Sequence, residues 1–260
     1  MYRIEFFGLP GVGKTTIKNL LAKRRVHGNL SLIPQEYACQ WMYLNGASKF
    51  RMNMEHFIST LSMGKFESYL RYKSLSYAKS RLMRGSAYEE VALCGDKYIE
   101  AAFSGSRKGT ALRAIEFFSN TMTDYLSSLE FESTISSNSK YSGVYIFDEG
   151  FSQRALTLKE ADVGNEAISE YLSSAPKADI IFYCKLEKEE RRKRLEIRKL
   201  KTERNRFSKN CYDDYLTEVK PVLAMLSDKV VDIEMDGPAD NVFRLVLKQL
   251  NLHFQQHTNK

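Results

Sequence analysis

Short apolar runs punctuate this chain, and between them apolar residues return every three or four positions. The runs are Ile4 with Phe6 and Phe7, then Leu30–Pro34, 144–147, 178–184 and 229–233. All are brief and rich in β-branched or aromatic residues, and helical stretches separate them. That alternation predicts an α/β fold with a parallel sheet covered on both faces. Residues 16–23 read as the first helix. Between Glu36 and Asp148 no comparable strand occurs. Phe57, Ile58, Leu61, Tyr69 and Leu70, then Ile115, Phe118, Met122, Tyr125 and Leu129, are spaced for helices, with loops expected at 105–109 and over the Ser-rich 132–143. Gly237-Pro238 breaks the chain before a closing helix that places Val242, Leu245, Val246 and Leu250 on one side. The chain has no internal repeat.

The turn after the first run reads Gly8-Leu9-Pro10-Gly11-Val12-Gly13-Lys14-Thr15, followed by Thr16. This is the phosphate-loop pattern G-x-x-x-x-G-K-[ST], lying between a strand and a helix as the motif requires. Gly8 and Gly13 permit backbone that a side chain would block, so successive N–H groups can curl around an anion. The positive end of the helix dipole adds to the attraction. Lys14 is placed for the outer phosphates of a nucleoside triphosphate, and the Thr15 hydroxyl for a Mg²⁺ ion.

Composition narrows the class. Two hundred and sixty residues with 43% hydrophobic content suit one domain over residues 1–260, with a helical insertion over about 40–140. No run nears the roughly 18 apolar residues of a membrane span. The N-terminus runs straight into a strand, and Cys39, Cys94, Cys184 and Cys211 lack paired spacing. The expectation is a reduced, cytoplasmic protein with neither leader nor disulfide framework. His27, His56, His253 and His257 form no metal-ligand pattern. The net charge of +7 is local: residues 185–206 hold eleven Lys and Arg against five Glu, a net of +6. One basic helix plus a loop fits a triphosphate better than nucleic acid, which calls for charge spread over a face. A solvated helix, with Glu189, Glu190 and Arg194 paired at helical spacing, is the plainer alternative.

Asp148 ends an apolar strand and reads as the carboxylate that holds Mg²⁺ through its water shell. Glu149 beside it fits two roles: a second choice of base, or the water-polarising acid of a hydrolysing ATPase. Glu36 also follows a strand. It suits the carboxylate that orients an acceptor hydroxyl and takes its proton, and equally an acid at a helix N-terminus. The insertion leaves from strand carboxyl ends, where open α/β sheets bind ligands, and is expected to roof the site opposite the triphosphate.

Together these features resemble the P-loop nucleoside and nucleotide kinases, in particular the thymidylate kinase and deoxynucleoside kinase group. The likeness rests on the phosphate loop, Glu36, Asp148, and residues 178–184 followed by Glu190-Arg191 and 194–198. It covers about the first forty residues and the last hundred and twenty. It implies a three-layer α/β/α P-loop NTPase fold, a five-stranded parallel sheet in the order 2-3-1-4-5, and a lid over about 194–210. In that lid Arg194 would meet ATP, and Arg198, Arg204 and Arg206 would close on the transferring phosphoryl group. The group usually carries Asp-Arg or Glu-Arg where this chain has Asp148-Glu149-Gly150, with Arg154 the nearest arginine. The acceptor is therefore open: a nucleoside, a nucleotide or another hydroxylated small molecule, with Arg81, Arg84 and Arg107 available to an anionic one. The sequence predicts an ATP- and Mg²⁺-dependent small-molecule kinase, off the membrane, as a monomer or homodimer. The competing reading is an ATPase switch whose insertion binds a protein.

Overall fold

A computed structural model of the chain describes residues 2–22, 24–26, 30–46, 89–136, 143–202, 215–226 and 230–258. Their order is β1 (Tyr2–Phe7), α1 (Lys14–Leu21), β2 (Arg25–Val26), β3 (Leu30–Pro34), α2 (Gln35–Gly46), α3 (Glu89–Ser104), α4 (Lys108–Ser136), β4 (Gly143–Phe147), α5 (Phe151–Glu160), α6 (Asn165–Ser174), β5 (Ile180–Lys185), α7 (Lys188–Thr202), α8 (Tyr215–Met225), β6 (Val230–Glu234) and α9 (Ala239–Thr258). The sheet runs β2-β3-β4-β1-β5-β6. Its five longer strands are parallel and stand in the expected order. The two-residue β2 pairs antiparallel at the β3 edge and is an addition the sequence pattern did not show.

Helices cover both faces. α1 packs with α9 on one side, and α2 to α6 with α8 on the other. β1 serves both by alternation. Tyr2 meets Phe254 of α9 and Phe6 stacks beside Phe182, whereas Arg3 and Glu5 face α5. Both charged residues are almost fully buried. Glu5 accepts from the N–H groups of Phe151 (3.2 Å) and Ser152 (2.8 Å), so a buried anion caps the positive end of α5. Arg3 balances it at 3.4 Å and lies over the rings of Tyr125 and Phe151. A Cβ on Gly150 would collide with the Glu5 carboxylate, so a side chain there would push Glu5 from its place at α5.

The described half of the insertion is core. Tyr98 of α3 stacks on Phe118 of α4 with centroids 4.1 Å apart, and both rings meet Tyr171 of α6. Phe118 and Met122 are buried, with Ile115, Tyr125 and Leu129 packed against the same cluster. α4 runs to Ser136, further than expected: Phe131 packs against Trp41, Tyr37 and Tyr145, which holds the Ser-rich stretch helical. On α9, Val242, Val246 and Leu250 are buried as expected, but Leu245 is 40% exposed and Phe254 takes the inward place instead. The helices expected around residues 57–70 lie outside the described residues. Among the described residues no helix is long and apolar enough to cross a membrane.

Candidate active site

Strand order brings the chemistry together. β3, β4 and β1 are consecutive neighbours, so the Gln35-Glu36 pair, Asp148 and the phosphate loop leave side by side from their carboxyl ends. β1 is also where the chain switches from building toward β3 to building toward β6, the place where such sheets form a crevice.

The loop needs its glycines. Gly13 stands just before α1 with φ of +106°, and Gly8 has φ of +145°. A Cβ on Gly8 would lie 2.7 Å from the Cys184 carbonyl oxygen. The Gly8 N–H donates to Gln153 Oε1 of α5 at 3.0 Å, which braces the loop from beneath. Leu9 and Val12 bury their side chains in the core, leaving their backbone to shape the loop. Lys14 is buried, and its ammonium donates to the Gly8 and Leu9 carbonyls at 2.5 and 3.2 Å. Burial pulls its pKa below the usual lysine value, against the opposing pull of nearby negative groups. Thr16 is exposed.

Thr15 and Asp148 meet directly: the hydroxyl donates to Oδ2 at 2.7 Å. Having given its hydrogen to Asp148, the Thr15 oxygen keeps its lone pairs for a cation. Asp148 stays ionised. Burial works to raise its pKa, but the charge of Lys18 and the bond from Thr15 outweigh this and hold it below the usual carboxylate value. Two adjacent oxygen donors fit Mg²⁺, which takes one or two protein ligands and completes its shell with water and phosphate oxygens.

Lys18, unnoticed in the sequence, joins the cluster. It lies one turn beyond Lys14 on α1, and its ammonium donates to both Glu36 oxygens at 3.0 Å and to Asp148 Oδ1 at 3.1 Å. Burial opposes its charge, yet the two carboxylates raise its pKa above the usual value. Gln35 was also missed. Its Oε1 accepts from the Asp148 N–H at 3.0 Å, and its Nε2 donates to the buried Asp124 of α4 at 2.8 Å. Only the i, i+4 spacing of Lys14 and Lys18 could have pointed to the first. Nothing local marks Gln35 or Gln153.

Glu149 turns elsewhere. It is 59% exposed and accepts from the buried Arg154 at 2.7 Å, while the Thr121 hydroxyl of α4 holds its carbonyl at 2.9 Å. Arg194 reaches the loop: Nη1 donates to the Val12 carbonyl at 3.4 Å, Nη2 to Met235 at 3.1 Å, and Nε to Glu190 at 3.1 Å. Arg194 is thus paired at helical spacing within α7 and also tied to the loop. Arg107 is remote from the site. Its N–H bonds the Ala161 carbonyl at the far end of α5, about 15 Å of helix away. Arg198 lies within α7, but its side chain, like the whole of Arg204, Arg206, Arg81 and Arg84, is outside the described residues.

Among known proteins, no family model and no curated sequence matches this chain. Among solved structures, one of thymidylate kinase from Candida albicans is similar, with a TM-score of 0.41 and 15% identity over 99% of this chain and 92% of that one.

Proposed function

We propose that this protein is a Mg²⁺-dependent kinase that moves the γ-phosphoryl group of ATP to a hydroxyl of a nucleoside, nucleotide or similar small acceptor. The observation that carries the reading is the line of side chains across three neighbouring strand ends. Lys14 lies in the loop, Thr15 bonds to Asp148, and Glu36 sits one strand further on, linked through Lys18. Loop N–H groups and Lys14 receive the phosphates, Lys14 exchanging its two carbonyl partners for phosphate oxygens. Thr15 and Asp148 would hold Mg²⁺, which when bound supplies charge neutralisation on the phosphates. Glu36 orients the acceptor hydroxyl and takes its proton. Residues over about 194–210 close on the nucleotide, with Arg194 on the loop and Arg198 and Arg204 toward the transferring group, so that water is excluded.

An ATPase switch would rest on Glu149 polarising a water. Its carboxylate pairs with Arg154 instead, which favours Glu36 and the kinase reading. Incubation with Mg²⁺, ATP and a panel of nucleosides, nucleotides, sugars and small acids, read by mass spectrometry, should show one class gaining a phosphoryl group. Brisk hydrolysis with no phosphorylated acceptor anywhere in the panel would replace this reading with the switch.

A further inference from the structure

We propose that Lys18 is a positioning residue for transfer: it fixes the Glu36 carboxylate against Asp148, so the group serving the acceptor and the group serving the metal are held as one unit. This rests on the kinase reading above. Asp148 is immobilised on every side, by Thr15 at Oδ2, Lys18 at Oδ1 and Gln35 at its N–H. Glu36 is not. It sits in the first turn of α2, its side chain is 22% exposed, and among the described residues Lys18 is the partner that holds it. The lysine side chain reaching it is 6% exposed and projects from a helix whose first turn is the phosphate loop's own continuation. Lys18 thus measures the position of Glu36 from the same helix that positions the phosphates. Without it, two carboxylates would face each other in a partly desolvated site, where their repulsion is strong. Asp148 would keep Thr15 and Gln35, so Glu36, left with no such hold, would turn outward. Displacing a reacting group by about 1 Å costs on the order of 10²-fold in rate.

The test compares wild type, Lys18→Met, Glu36→Gln and the double variant. Transfer is measured with Mg²⁺, ATP and, as acceptors, the common deoxynucleosides, their monophosphates, or water alone. ADP binding is read by calorimetry and stability by urea unfolding. Lys18→Met should lower kcat about 10²-fold while KM for ATP and the ADP affinity stay close to wild type. The double variant should be no slower than the slower single one, because both changes act through one carboxylate. The two substitutions should also be non-additive in unfolding, by about tenfold in the folding constant. A purely structural lysine would lower stability and leave the kcat of folded protein intact. Unchanged kcat, a loss expressed wholly in KM for ATP, or additive effects would each overturn the proposal. Should Lys18→Met not fold, Lys18→Gln, which keeps a donor but is neutral and one bond too short to bridge both carboxylates, should still lower kcat, and an unchanged kcat there overturns the proposal as well. A wild type that neither transfers nor hydrolyses would sink the kinase reading itself, and Lys18 with it, an outcome distinct from an active protein indifferent to Lys18.

Discussion

A lysine shut away from water keeps its charge only where other groups replace the water, and α1 solves this twice. Lys14 is met by two carbonyls and its pKa falls; Lys18 is met by two carboxylates and its pKa rises. The first arrangement leaves charge available to an incoming anion, and the second uses it up inside the protein. Lys14→Ala should therefore cut ATP turnover by orders of magnitude while circular dichroism stays that of the folded protein, with Tm lowered because the Gly8 and Leu9 carbonyls lose their donor. Glu36→Gln keeps the shape but removes the proton-accepting charge. It should slow transfer by roughly 10²–10⁴ with ATP affinity little changed. Glu149→Gln should leave the chemical step near wild type in the same rapid-quench assay; the reverse pattern would favour the ATPase switch. At this scale the sequence was legible where chemistry is written locally. Loop glycines, Lys14, Thr15 and Asp148 announce themselves by neighbours along the chain. Lys18 resembles any lysine of an amphipathic helix, and its partner Asp148 is 130 positions away.

Among the elements, β4 and β5 were plain to read because both faces are apolar, so they stand out as nearly unbroken runs. β2 is too short to show any period, and the end of α4 was hidden because Ser-rich composition resembles a loop until Phe131 finds its aromatic partners. Two side chains couple elements that have no sequence proximity. Gln35 joins α2 to β4 and α4, and Gln35→Leu would strand the Asp148 N–H in the interior and remove one donor from Asp124. An unmet buried group costs about 1–3 kcal/mol, more when charged, so urea unfolding should show a loss of at least that size. Arg194 joins α7 to the loop and to the end of β6. Hydrogen bonds to a charged donor contribute about 1.5–3 kcal/mol each. Arg194→Ala should then raise KM for ATP tenfold or more, with a smaller effect on Tm, since the side chain is partly exposed.

For the whole molecule, the site depends on strand order, and a ligand spanning β1, β4 and β3 should stiffen all three. With ADP and Mg²⁺ at a hundred times Kd, linkage gives about 2.7 kcal/mol, or roughly 5–10 °C in Tm for a chain of this size. Chelating Mg²⁺ should remove most of that shift and leave the Tm of the nucleotide-free protein where it was, because Thr15 and Lys18 already meet both Asp148 oxygens without a metal. The order of the strands was readable only through the resemblance, since no local pattern says which runs become neighbours. One contact far from any ligand carries a different kind of consequence. Glu5 fills the space that a side chain at position 150 would need, and it caps α5 while Arg3 balances it. Descendants of this gene are thus constrained in the sequence of their substitutions: Glu5 must shorten before position 150 can gain a side chain, and Arg3 has to be exchanged soon after Glu5 is lost. The three positions should drift as a linked set, with Glu5 the first to change.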